Sequence, residues 1–236
     1  MSPATLLLLA VVVAVAAFVQ GSSGLGFALI VAPVTGLLDP TLLPVFLLVA
    51  MVPLNLYVAW RERSALDLRG AGWITAARLA ATPGGLMLLW VVPAERLGLF
   101  VGVATVLAAL ASLAAPSFTP GRTAYLGAGV VTGITETATG VGGPPLALVY
   151  QHRPPAELRS TVAVCFLVGE LASLALLFGT GQSDIAQAWP ALLMLPALAL
   201  GAGLSRLVHH RINAPRMRLL VLGFALVSGV VLMLGV

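Results

Sequence analysis

Charge is nearly missing from this chain. Of its 236 residues only 8% are charged, while 60% are hydrophobic. A soluble domain carries about 25% charged residues. The chain therefore cannot cover its own surface in water, and it reads as an integral membrane protein with no soluble domain of useful size. Lysine is absent altogether, and all twelve basic residues are arginine. The net charge of +4 does not point to nucleic acid, because the arginines fall between apolar runs, where membrane topology explains them. Cysteine is reduced to Cys165, inside an apolar run. That excludes an internal disulfide and argues against a metal site or a thiol nucleophile. No cofactor or metal is expected. "SSGLGF" lacks the Lys-Ser/Thr that ends a phosphate loop, and no ATP-binding motif appears. The first twenty residues lack a basic start, and the chain stays as apolar beyond them, so they read as a retained segment.

What is present is a series of apolar runs: Thr5–Gln20, Phe27–Leu38, Leu42–Trp60, Trp73–Val92, Leu97–Ala115, Ala124–Ile134, Pro144–Gln151, Ser160–Leu177, Ala188–Leu207 and Leu219–Leu234. Most are long enough to cross a hydrocarbon core of about 30 Å. Ala124–Ile134 and Pro144–Gln151 reach only about 16 and 12 Å, and Phe27–Leu38 about 18 Å. The short runs suggest two helical hairpins, turning near Gly21–Gly26 and near Thr135–Gly143. If each hairpin enters and leaves on one side, ten arginines share a face, Arg96 lies opposite and Arg78 sits within a span. The arginine-rich face is then cytoplasmic and both termini lie outside, with Asp39, Glu95 and Asp184 on the outer face. Trp60, Trp73, Trp90 and Trp189 fall at or near span ends, as an interfacial belt does.

The expected fold is all-α and membrane-embedded. It is an inverted repeat of two halves, each a hairpin followed by three transmembrane helices. Residues 1–118 form the first half, with its hairpin at about 4–38. Residues 119–236 form the second, with its hairpin at about 122–151. "GLGFALIVAP" from Gly24 lies over "GVGGPPLALV" from Gly140, and "VPAERLGLFVG" from Val92 over "INAPRMRLLVLG" from Ile212 with a small gap. Inverted repeats with broken helices at the midplane are a transporter architecture. Non-helical backbone survives at that depth only where it is buried in protein or lines a cavity. Restarting helices aim unpaired N–H groups at the break, which favours an anion.

The candidate substrate-binding residues follow: Gly21, Ser22, Ser23, Gly24 and Gly26 in the first hairpin, and Thr135, Thr137, Thr139, Gly140, Gly142 and Gly143 in the second. Their hydroxyls either contact substrate or back-bond to their own helices. Arg78 either binds the anion through its guanidinium fork or pairs with an acid. An acid at membrane depth reads as functional. Glu136 could carry a proton, oppose an arginine, or simply be wet at a shallow tip. Glu170 could carry a proton or pair with Arg78. Gln20 and Asn55 read as interhelical hydrogen-bonding residues. His209 and His210 read as a solvated basic loop.

At "GSSGLGFALIVAP" (Gly21–Pro33) and "TGITETATGVGGPP" (Thr132–Pro145) the sequence resembles the TauE/SafE family of sulfite and organosulfonate exporters. The span pattern extends the resemblance over essentially the whole chain. Phe27 stands where the second motif has Gly143, so the two copies differ. The resemblance implies transport of a small sulfur-containing anion through a bacterial inner membrane, with no enzymatic activity. A homodimer is left open. The competing class is an enzyme acting on a lipid pyrophosphate, but Glu136 has no second acid close in sequence, and Ser22 and Ser23 have no neighbouring arginine. An intramembrane protease would need a histidine at depth, and His152, His209 and His210 all map to loops. A structural subunit is the remaining reading.

Overall fold

The protein is described from a computed structural model covering residues 3–93, 96–114, 120–150, 152–208 and 214–234. Glu95, Gln151, His209, His210 and Arg211 lie outside those residues. The described residues are helical. In chain order they form α1 (Pro3–Ser23), α2 (Phe27–Leu38), α3 (Val45–Arg61), α4 (Leu68–Val91), α5 (Leu97–Ala114), α6 (Arg122–Thr139), α7 (Gly143–Tyr150), α8 (Pro155–Gly179), α9 (Trp189–Leu193), α10 (Leu195–Val208) and α11 (Ala214–Leu234).

Helices α1, α4, α5 and α8 are each long and apolar enough to cross a membrane, and α9 with α10 makes a fifth span bent by 50°. Ala188–Leu207 reads in sequence as one span. The bend falls at Met194, between the two helices, and Pro196 follows. Proline donates no N–H, and its ring crowds the carbonyl four residues back. Leu7, Leu107, Leu220 and Val227 are at least 60% exposed, whereas Arg78, Glu136, Glu170 and Thr137 are completely buried. An apolar exterior around a polar interior suits lipid, where backbone and charge must be satisfied inside the protein. Trp60, Trp90 and Trp189 are exposed at or next to helix ends, in keeping with an interfacial belt.

Both expected breaks are present but narrower than the sequence suggests. Gly21, Ser22 and Ser23 belong to the last turn of α1, and the first break is Gly24–Gly26. Thr135, Glu136, Thr137 and Thr139 belong to α6, and the second break is Gly140–Gly142. Serine and threonine do not stop a helix when their hydroxyls bond back to it. Ser23 Oγ lies 2.8 Å from the Val19 carbonyl, Thr135 Oγ1 2.9 Å from Val131 and Thr139 Oγ1 2.7 Å from Thr135. The helices end where Gly24, Gly26 and Gly140 adopt φ of 85°, 116° and 77°, conformations that residues with a Cβ rarely enter.

The second hairpin returns to the end from which it starts. Tyr125 near the start of α6 and Tyr150 at the end of α7 stack with ring centroids 5.9 Å apart.

Several helices pack at backbone distance. A Cβ on Gly133 of α6 would stand 3.1 Å from Ala81 Cβ of α4, and one on Gly85 of α4 2.7 Å from Thr137 Cβ. A Cβ on Gly201 of α10 would stand 3.0 Å from Ala17 Cβ of α1, and one on Gly21 of α1 would meet Ser205. Small residues permit this approach, on which helix association in lipid relies. Elsewhere α3 packs on α8, α5 on α11, α2 on α11 and α7 on α5.

Candidate functional site

The breaks meet. A Cβ built on Gly143, the first residue of α7, would stand 3.4 Å from Leu25 Cδ2, in the middle of the first break. The first break and the start of α7 line one cavity of about 240 Å³, with Ser23, Leu25 and Gly26 from one side and Gly143 and Pro144 from the other. Arg153 also reaches it. Of the sequence-derived candidates, Ser23, Gly26 and Gly143 therefore share a space. The cavity lining does not include Arg78, Glu136 or Glu170.

Those three residues belong to a second constellation, buried between α4, α6 and α8. Arg78 forms an ion pair with Glu136, donates from Nη1 to the Cys165 carbonyl at 2.7 Å, and lies 5.5 Å from the Phe166 ring centroid. Its guanidinium lies against Gly169, leaving no room there for a side chain. Glu136 is packed against Gly142, where a Cβ would stand 2.7 Å from Oε2. The glycine at the second break thus clears space for the carboxylate as well as for the turn. Among the readings left open by sequence, Arg78 opposes Glu136 and not Glu170.

Glu170 accepts a 2.7 Å hydrogen bond from Asn55 Nδ2, and Asn55 Oδ1 accepts from Gln20 Nε2 at 3.2 Å. Gln20 Oε1 in turn accepts the Phe27 N–H at 3.1 Å. This last bond caps the restarting α2, whose first-turn N–H groups have no partner within the helix. A polar chain thus runs from the first break to Glu170, whose Oε2 has no hydrogen-bond partner. The interhelical role read for Gln20 and Asn55 matches this geometry; the capping of α2 is the part that sequence could not supply. Asn55→Leu is expected to leave Gln20 Nε2 and Glu170 Oε1 unpartnered, at a cost of about 1–3 kcal/mol for each group. Thermal unfolding in detergent would measure this, and a melting temperature equal to wild type would contradict the chain.

The remaining candidates do structural work. The Gly21 carbonyl accepts from Arg61 Nη2 at 2.8 Å and the Ser22 carbonyl from Arg159 Nη1 at 3.4 Å. Both arginines also bond Glu62 Oε1, at 2.7 and 2.8 Å. Cations at a helix C-terminus satisfy its last carbonyls and oppose its dipole. Ser22 Oγ is buried without a partner. Thr137 Oγ1 and Ser173 Oγ lie 2.8 Å apart, tying α6 to α8. Thr139 Oγ1 accepts the Val141 N–H at 3.0 Å within the second break. Gly140 packs against Leu47, and Gly24 against Leu158 and Arg159.

A helical bundle with an apolar exterior, two broken segments inside it, and ionisable groups buried beside one of them is that of a polytopic membrane protein of the transporter type. The family model described as "Sulfite exporter TauE/SafE" matches residues 8–232. The chain belongs to the TauE/SafE family, a family of membrane transporters and not of enzymes. The "Probable inner membrane transporter protein TsaS" of Comamonas testosteroni is 34% identical over 113 residues. That match covers 47% of this chain and 47% of the relative, so the chain spans about half the length of the curated relative it matches. No solved structure matches.

Proposed function

We propose that the protein exports a small sulfur oxyanion, sulfite or an organosulfonate, across a bacterial inner membrane by alternating access. The observation that carries this reading is the cavity between the first break and the start of α7, which follows the second break. Its lining includes Gly143, where α7 restarts, and Gly26, next to the restart of α2. Helix N-termini favour an anion. Ser23 at the end of α1, Gly26 of the first break and Gly143 at the start of α7 are the contacts nearest the substrate. Gly21, Ser22, Gly24, Thr135, Thr137, Thr139, Gly140 and Gly142 shape the breaks and fix the helices around them. Outward movement of one negative charge gains about 2.3 kcal/mol per 100 mV of inside-negative potential, so export needs no ATP. The arginine-rich end faces the cytoplasm and both termini lie outside.

The halves 1–118 and 119–236 form an inverted repeat. A shift of 116 residues lays Gly24 over Gly140, Ala17 over Gly133 and Gly21 over Thr137. A shift of 120 lays Val92 over Ile212, Ala81 over Gly201 and Gly85 over Ser205. The close contacts of α1 with α10 (Ala17 by Gly201, Gly21 by Ser205) then exchange with those of α6 with α4 (Gly133 by Ala81, Thr137 by Gly85). This reciprocity supports the repeat. It also pairs Gln20 with Glu136, so the neutral amide of one half answers the acid of the other.

Glu136 serves as the counter-charge of Arg78, and Glu170, with its free Oε2, carries the coupling proton. Reconstituted protein should pass sulfite or methanesulfonate in preference to a cation of similar size. Its flux should reverse with the sign of the membrane potential. Glu136→Gln should abolish transport, and Glu170→Gln should leave transport unresponsive to a pH gradient. Vesicles that pass no small anion at either potential would reject the export reading. An unchanged response to pH in Glu170→Gln would remove the proton role alone.

A further inference from the structure

At the arginine-rich end a second cavity of about 320 Å³ opens between the starts of α4 and α6, and its lining includes Arg69, Arg122 and Arg153. Arg69 makes no hydrogen bond or ion pair among the described residues. Arg122 lies over the Trp73 ring at 4.0 Å from the centroid, which holds its guanidinium plane and leaves its edges free for an acceptor. The acids nearby, Asp67 and Glu157, offset only part of the charge of three cations. Asp67 lines the cavity and is held by the Gly70 N–H at its Oδ1 and the Tyr150 hydroxyl at its Oδ2, both at 2.9 Å, and Arg153 also bonds Tyr125. Glu157 reaches Arg153 only at 3.8 Å. Gly121 gives α6 no side-chain cap, so its first N–H groups add to the positive field. Arg153 lines this cavity and also the one between the breaks.

We propose that Arg69, Arg122 and Arg153 form a second oxyanion station, which collects a sulfonate- or phosphate-like group at the cavity mouth, with Arg153 passing a free anion on to the breaks. The inference rests on the transport reading for the hand-over, though not for the binding. The ligand chemistry is an oxygen-rich monoanion or dianion, either a free sulfur oxyanion or the headgroup of an anionic lipid. Exposed arginines attract such a group through a field that salt screens.

The test uses the full-length protein in nanodiscs of neutral lipid and in nanodiscs containing phosphatidylglycerol, with sulfite as the free probe. The arginines are exposed, so Arg69→Gln with Arg122→Gln should fold as wild type does. In neutral lipid the double variant should bind sulfite about three- to tenfold more weakly. In proteoliposomes its KM should rise by a similar factor, with the rate at saturation kept. Arg153→Gln should lower the rate as well. If the station holds a headgroup, phosphatidylglycerol should raise the melting temperature of wild type but not of the double variant. Sulfite binding would then be equal in both. The station is overturned if neither sulfite affinity nor the response to phosphatidylglycerol differs between wild type and the double variant. A wild type that binds sulfite or phosphatidylglycerol through these arginines, yet passes no sulfite, would instead count against the transport reading.

Discussion

Arg78→Met is expected to destabilise the protein by about 3–5 kcal/mol, because it leaves the Glu136 carboxyl fully buried without its counter-charge. The pair is fully buried, and the arginine also satisfies the Cys165 carbonyl. The informative comparison is the double variant Arg78→Met with Glu136→Met. Replacing both members of a buried pair by apolar side chains of similar volume is often neutral or stabilising, so the double variant should recover most of the lost melting temperature. Anion flux should stay absent. If transport returns with stability, the pair only holds the fold. If stability stays lost in the double variant, the Cys165 carbonyl or the packing on Phe166 matters more than the charges.

The second large effect is expected at Gly169. A Cβ there would fall within the Arg78 guanidinium, which Glu136 and the Cys165 carbonyl hold in place and which therefore cannot move aside freely. Overpacking of this kind costs about 1–3 kcal/mol, and here it also pushes a buried cation off its acid. Gly169→Ala should therefore lower the melting temperature and abolish flux together. Gly203→Ala, where a Cβ meets nothing within 4 Å, is the control and should change neither. Equal behaviour of the two variants would mean that the close approach at Gly169 is dispensable.

What the sequence could and could not disclose follows from the range of the forces involved. Helix existence was legible, because apolar runs of sixteen or more residues have no other use at this composition. The breaks were legible because paired glycines interrupt such runs. Their edges were not, since Ser23, Thr135 and Thr139 could either stop a helix or bond back to it, and only the surroundings decide. Arg78, Glu136 and Glu170 stood out as charges at depth. Which acid the arginine meets could not be read, because residues 58 and 92 positions away are equally plausible until α4 is laid on α6. Asn55 lies mid-helix and Gln20 near the end of α1, and as ordinary amides nothing in the chain tells that they join a break to an acid. The cluster of Arg69, Arg122 and Arg153 is spread over the first turns of α4 and α6 and the loop between α7 and α8, and appears only once those helices are assembled.

The contacts of Gly85, Gly129 and Gly133 bring α4 and α6 together with main chain against main chain. Two rods seated so closely cannot slide or roll past each other without lifting apart, so any rocking of the bundle must carry them as a single lever. Spin labels placed one on each helix should then keep their separation with and without anion, while labels across to α1 should not.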